Sequence, residues 1–396
     1  MVPYQCKTWP SELSLKNEHS STMKVCIIQP VMKGYRMPFF VGLAERLSQV
    51  GITLQVVYGT PWLEEAKRGD HVELPPPLGR KVESRMLFRK LFFLPVLRPW
   101  LSADLVIVEH ANKHLMNYLL AVLWAAGVKR IAYWGHGRDR QANADSRAER
   151  FKRRSMHWAD WWFAYTAQSA AYVAAQGFPA DRITVVENAI DTRALRDDLA
   201  TVSEDELQGA RAGLGWNGNE QVAVFCGSLY QNKRLDLLFD AADRVHREVL
   251  LFRLLIIGGG PLADEVARFA SDRPWVKAVG PKFGHEKSVL LRLANMWLNP
   301  GALGLGILDA FCAGIPMLTT GQLTHGPEIE YLHHQQNGLL LDSSAHAYAD
   351  GILQLLGDSA FQDSLRNGAL ASAQQYSIET MVENFAVGVE RCLHPS

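Results

Sequence analysis

No apolar run in this 396-residue chain reaches the roughly 20 residues that a membrane-spanning helix needs. The most helix-like apolar stretch, Leu115 to Val128, is shorter and contains Asn117. A surplus of one charge is missing too: 41 Lys and Arg balance 41 Asp and Glu, which argues against an indiscriminate nucleic-acid binder. Cysteine is scarce and odd in number. Cys6, Cys26, Cys226, Cys312 and Cys392 show no metal-ligand spacing, so neither a bound metal nor a disulfide framework is expected, and a reduced cytosolic chain is. The polar stretch 1–22 lacks an apolar core of signal-peptide length and reads as a disordered tail.

What the chain does have is apolar content, 48% of its residues, and a length that makes two cores the expectation. Met23 to Pro30 is a continuous apolar run of strand length; a helical pattern over Met37 to Gln49 follows the turn Lys33 to Arg36, and Ile52 to Tyr58 is the next strand. That βαβ unit predicts a doubly wound, mostly parallel sheet. Further strands are expected at Leu105 to Glu109, Arg130 to Trp134, Trp162 to Tyr165 and Ile183 to Val186. A charged, poorly apolar segment through Gly218 then reads as an interdomain connection. The alternation restarts with a strand at Val222 to Cys226 and a helix at Leu235 to Glu248. The expected fold class is α/β, with two Rossmann-like doubly wound domains facing a cleft: 23–190 on the acceptor side, 191–376 on the nucleotide side, and a final helix within 377–396 that crosses back.

Four stretches carry chemistry. Asn299 to Glu330 reads as glycine-rich turn, short helix, buried strand and polar loop, with amides at a helix start that favour an anion. Gly227 to Arg234 follows a strand and precedes a helix, and its adjacent Lys233 and Arg234 suit a diphosphate, although a solvated charge pair would look the same. Gly258-Gly259-Gly260-Pro261 is a second glycine-rich turn that tight packing explains equally well. Trp134 to Arg138 ends a strand with His136 between two glycines, placed to meet a substrate hydroxyl, while His110 and His114 lack partners at ligand spacing and read as ordinary loop and helix residues. Basic residues interleaved with bulky apolar ones in 80–98 and 147–162 fit contact with an anionic membrane; the alternative is an apolar core with solvated cations.

In their order and spacing these pieces resemble the retaining, sugar-nucleotide-dependent glycosyltransferases of the GT-B fold, family 4 group. The resemblance runs from Val25 to about Asp342 through GYRMPFF at Gly34, WGHG at Trp134, VVENAIDT at Val185, FCGSLYQNKRLDLL at Phe225, IIGGGP at Ile256 and the turn at Pro300. It implies that a nucleoside diphosphate sugar binds as donor substrate, with no cofactor and no metal, and that a lipid-linked or saccharide acceptor receives a hexose in polysaccharide or glycoconjugate biosynthesis. It also implies that Lys233 neutralises the leaving diphosphate and His136 meets a donor-sugar hydroxyl. Leu303, Gly304 and Leu305 would offer amides to the phosphate and sugar, Asp309 would accept from the ribose, and Glu328 would close the pocket. Gly34, Gly227, Ser228, Arg234 and Gly258 complete the expected donor contacts. Ser228 stands where the family has an arginine, and Gly301 and Asp309 where it has two glutamates. Two alternatives therefore stand beside transfer: a catalytically silent sugar-nucleotide-binding partner of an assembly complex, and a sugar-nucleotide 2-epimerase on the same fold. The expected location is cytoplasmic, at the inner face of the plasma membrane where the basic segments make contact.

Overall fold

A computed structural model describes residues 23–66, 70–87, 91–95, 102–137, 146–321 and 325–395. Apolar runs that bury both faces become parallel strands, and the amphipathic segments between them become covering helices. The first unit contributes β1 (Met23–Val31), β2 (Ile52–Gly59), β3 (Gly79–Val82), an antiparallel pair β4 (Arg85–Leu87) and β5 (Leu91–Phe93), β6 (Leu105–Glu109), β7 (Arg130–Gly135), β8 (Trp161–Ala164) and β9 (Ile183–Val185). The second contributes β10 (Gln221–Cys226), β11 (Phe252–Ile257), β12 (Val276–Gly280), β13 (Met296–Leu298), β14 (Met317–Thr320) and β15 (Gly338–Leu341).

The first sheet runs β3-β2-β1-β6-β7-β8-β9 and the second β12-β11-β10-β13-β14-β15. Every pairing in both sheets is parallel. In each, strand order reverses beside the unit's first strand, between β1 and β6 and between β10 and β13. Crevices at such reversals, at the carboxyl ends of the strands, are where open α/β sheets bind ligands.

The two sheets face each other through those ends. The turn Pro327–Tyr331, which follows β14, meets residues that follow β8 and β9: Glu330 accepts from the Thr166 hydroxyl at 2.7 Å and the Gln168 amide at 2.8 Å, and the Tyr331 hydroxyl donates to the Asn188 carbonyl at 3.2 Å. The last helix, Ile378–Leu393, packs on the helix Met37–Ser48 and on β8 and β9 of the first unit. Phe385 stacks on Phe163 at 4.1 Å and meets Phe39 and Trp134 edge-on.

The charged segment before Gly218 is not an irregular connection. It forms two helices, Thr192–Thr201 and Glu204–Leu214, that pack on Gly284–Arg292 of the second unit. Asp191 caps the first, and Ser203 with Glu206 forms a complete capping box on the second. Their apolar contribution is narrow, resting largely on buried Leu199 and Leu207, which is why composition hides them. The basic segments also turn inward in part: Phe92, Leu94, Trp161 and Trp162 are core residues. Arg89, Lys90 and Arg98 lie outside the described residues.

Candidate active site

Two loops of the second unit meet at its strand-order reversal. The loop after β10 ends in a short helical turn, Gln231–Lys233, and Arg234 in left-handed conformation at φ 53° starts the helix Leu235–Glu248. The turn after β13 lies directly against it. The Ala302 amide donates to the Asn232 carbonyl at 2.8 Å, and Lys233 Nζ donates to the Ala302 carbonyl. Gly301 makes this approach possible, since a Cβ there would sit 2.2 Å from the Lys233 carbonyl carbon. A glutamate side chain at 301 is therefore incompatible with this loop packing.

Lys233 is partly buried, and desolvation lowers its pKa from the ordinary lysine value. It places a cation at the reversal point, where the resemblance expects a diphosphate. Gly304 and Leu305 present backbone N–H groups with no partner among the described residues. The Leu303 amide, expected on the donor phosphate, is already committed: it donates to His325 Nδ1 at 3.1 Å. His325 Nε2 lies 2.7 Å from the Thr320 carbonyl and donates to it, so the buried imidazole is the Nε2–H tautomer and ties β14 to the turn. Neither role of His325 was visible in the sequence, where residues 322–324, outside the described structure, precede it.

Asp309, expected on the ribose, is held by Lys287 Nζ at 2.7 Å. Burial works against the Lys287 ammonium, but Asp309 together with Cys226 and Cys312 offsets it and the pKa stands above the ordinary value. Arg234 points its guanidinium back to Asp236 at 3.2 Å, and Ser228 is exposed at the loop tip. Gly227 and Gly258 meet each other: at φ 159°, a Cβ on Gly258 would lie 1.9 Å from the Gly227 carbonyl oxygen, so packing of two strand-end loops accounts for the glycine-rich turn.

On the first unit His136 follows β7, with Gly135 at φ 153° and Gly137 at φ 78°. A Cβ on Gly137 would press to 2.8 Å from Val173, so the loop fits only with glycine there. The His136 ring lies 5.7 Å from that of Tyr165. Gly34 follows β1 and donates its amide to the Asp70 carbonyl at 2.8 Å. Glu328 is buried and accepts from Asn188 Nδ2 at 2.6 Å, joining the second unit's turn to the segment after β9.

Arg36 is a site residue that sequence reading missed. Its buried guanidinium lies 5.0 Å from the Trp134 and Tyr35 rings and 5.8 Å from Tyr165, and Nη1 points at Met381 Sδ on the last helix. Burial opposes its charge, yet Tyr35, Tyr165 and Glu328 keep its pKa above the ordinary value. An arginine inside the motif GYRMPFF was the available signal. Among the described residues Glu65, Asp70 and His71 form one cluster of potential metal ligands, but Lys33 already bridges Glu65 and Asp70.

A D-inositol 3-phosphate glycosyltransferase of Jonesia denitrificans is 26% identical over 227 residues, 53% of this chain and 52% of that protein. A GDP-mannose-dependent alpha-(1-6)-phosphatidylinositol monomannoside mannosyltransferase of Mycobacterium tuberculosis is 29% identical over 195 residues, 46% and 48% respectively. The chain thus spans about half the length of the curated relatives it matches. The crystal structure of Anabaena HepE in complex with UDP-glucose superposes with a TM-score of 0.63 at 16% identity, covering 93% of this chain and 99% of that one, which speaks to the fold. Family models for Glycosyltransferase Family 4 at residues 39–194 and Glycosyl transferases group 1 at residues 220–358 cover one unit each. The chain belongs to the GT-B glycosyltransferases of the family 4 type.

Proposed function

We propose that this protein transfers a hexose from a nucleoside diphosphate sugar to a lipid-linked or saccharide acceptor with retention of anomeric configuration, in the synthesis of a cell-surface polysaccharide or glycoconjugate. The observation that carries the reading is the meeting of Lys233 with the glycine turn at 301–306: a partly desolvated cation beside two unengaged amides, at the reversal point of the second sheet. Such a group stabilises the charge that develops on a departing diphosphate, and it is already in place before reaction. The chemistry asks for no metal, and none is assigned. His136, at the end of β7 on the first unit, would meet the donor sugar, and Glu328 would hold the two units together around it. The curated relatives act on inositol phosphate or phosphatidylinositol mannoside, which favours a polyol-containing acceptor. Turnover with one member of a panel of UDP-, GDP- and ADP-sugars is the expected result; a folded protein that neither hydrolyses nor transfers any of them would overturn the proposal.

The reading as a silent sugar-nucleotide-binding partner has two observations in its favour: Gly301, where the loop packing admits no glutamate, and the engagement of Asp309 by Lys287. Donor binding without turnover, with function restored only beside a second protein, would select it.

Membrane contact belongs to the same proposal. No helix among the described residues is long and apolar enough to cross a bilayer. The helix Arg147–Ser155 exposes Phe151 among Arg147, Arg150 and Arg154, and the neighbouring helix Leu115–Ala125 exposes Leu119 and Val122. Salt-sensitive flotation with anionic vesicles is expected. Loss of flotation at low salt would remove the membrane from the scheme and leave transfer untouched.

A further inference from the structure

A polar pocket of about 150 Å³ lies at the amino ends of β10 and β13, one strand length or roughly 20 Å from the crevice at their carboxyl ends. That volume is roughly ten times what a single water needs. Three guanidinium groups from three helices line it: Arg211 of Glu204–Leu214, Arg292 of Gly284–Arg292 and Arg366 of Ser359–Gln375. Glu220 is the one acid among the lining residues. Both of its oxygens are committed, accepting from the Asn217 and Gly218 amides at 2.7 Å each.

The three cations are poorly compensated. Arg366 makes no hydrogen bond or ion pair among the described residues. Arg292 donates to a neutral group, the Leu199 carbonyl, at 3.1 Å. Arg211 meets Glu204 at 3.1 Å, but that carboxylate side chain is 65% exposed, where an ion pair is worth little. A cation is favourable in the last turn of a helix without any ligand, which accounts for Arg211 and Arg292. It does not account for Arg366, which sits in mid-helix. Asn295 adds a further donor: its Oδ1 accepts from the Val222 amide at 2.8 Å, and its Nδ2 has no partner among the described residues. Buried Trp216 supplies an aromatic wall.

The uncommitted polar groups are thus donors, and the lining residues set three positive charges against one negative. A neutral sugar would leave that excess unmet. A phosphate dianion matches it, and phosphate oxygens accept from the forked N–H groups of arginine. We propose that this pocket binds a compact phosphate group, as free phosphate or as the head of a small phosphate ester, at a site separate from the donor crevice. The inference does not rest on the transferase reading, since the pocket is at the opposite end of the sheet from Lys233.

Phosphorus NMR titrations of inorganic phosphate and of glycerol phosphate into the full chain test it, at constant ionic strength with chloride as the balancing anion. Wild type should bind at least one of the two, and the tighter one names the source of the phosphate. Arg366→Gln should weaken that binding roughly tenfold or more, the scale of losing charge-assisted hydrogen bonds. Arg366→Lys, which keeps the charge but loses the fork, should weaken it less. Arg366 is exposed and unpaired among the described residues, so both variants should keep the wild-type melting temperature in phosphate-free buffer. Lys233→Ala, which removes the cation of the donor crevice, should bind phosphate as wild type does. Equal affinity in wild type and Arg366→Gln would overturn the site. So would no binding of either probe, or binding that Lys233→Ala abolishes and Arg366→Gln leaves intact.

Discussion

Lys233 shows how one side chain can be structural and chemical at once. Its Nζ closes the contact between two loops through the Ala302 carbonyl, yet its burial lowers its pKa and sharpens its response to an anion. Lys233→Ala is expected to lower kcat by roughly 10²–10³-fold, the scale for losing one preorganised charge-stabilising group. Stability should fall by only about 1 kcal/mol, one hydrogen bond's worth. Equal activity in a transfer or donor-hydrolysis assay would remove the assigned role. Glu187 makes a different statement. It sits at φ 55° in the segment that joins the units, and burial, reinforced by Glu330 and moderated by Tyr331, pushes its pKa up to about 7. The unfolded carboxyl titrates near ~4.3, so between these values the folded chain holds more protons than the unfolded one. Stability from this group must therefore fall as pH rises from about 4.3 through about 7. Glu187→Gln removes that slope: its melting temperature should gain on wild type between about pH 5 and about pH 8. Parallel profiles would show that the group titrates normally.

At the level of elements, the site depends on backbones that touch. Gly301 admits the Lys233 loop, and Gly258 and Gly260 admit the loop at Gly227 to Leu229. Gly301→Ala is expected to cost about 1–3 kcal/mol by overpacking and to lower activity much as Lys233→Ala does, because the loop must shift to make room. Retained stability together with retained kcat would mean that the two loops are not coupled. Strands β1, β2 and β6 to β10 and the helices Met37–Ser48 and Leu235–Glu248 were legible because continuous apolar runs and one-sided helical patterns record burial directly; the short strands β3, β4, β5 and β15 were not. The helices at Thr192–Thr201 and Glu204–Leu214 were not, since their charged composition masked a narrow apolar face; the Ser203-x-x-Glu206 spacing was the signal to use. Within the site, the positions of Lys233 and His136 at strand ends were readable from pattern. The commitments of Leu303 to His325 and of Asp309 to Lys287 were not, because they join residues 22 apart across a fold that sequence spacing does not encode.

On the scale of the whole molecule, the helix Ile378–Leu393 decides how the two units are held. Phe385 fills the first unit's core between Phe163, Phe39 and Trp134, and Met381 Sδ accepts from the Ala189 amide at 3.2 Å while facing Arg36. Phe385→Ala should cost about 3–5 kcal/mol, read as a lower denaturant midpoint. A loss well below that would mean that the helix packs loosely and contributes little to the first unit. The crossing also imposes an order of events during synthesis. Domains usually fold as they leave the ribosome, first unit first. Here the face around Phe39, Trp134 and Phe163 stays uncovered until almost 200 further residues have been made, so the first unit to emerge is the last to be finished, and it must be protected while it waits.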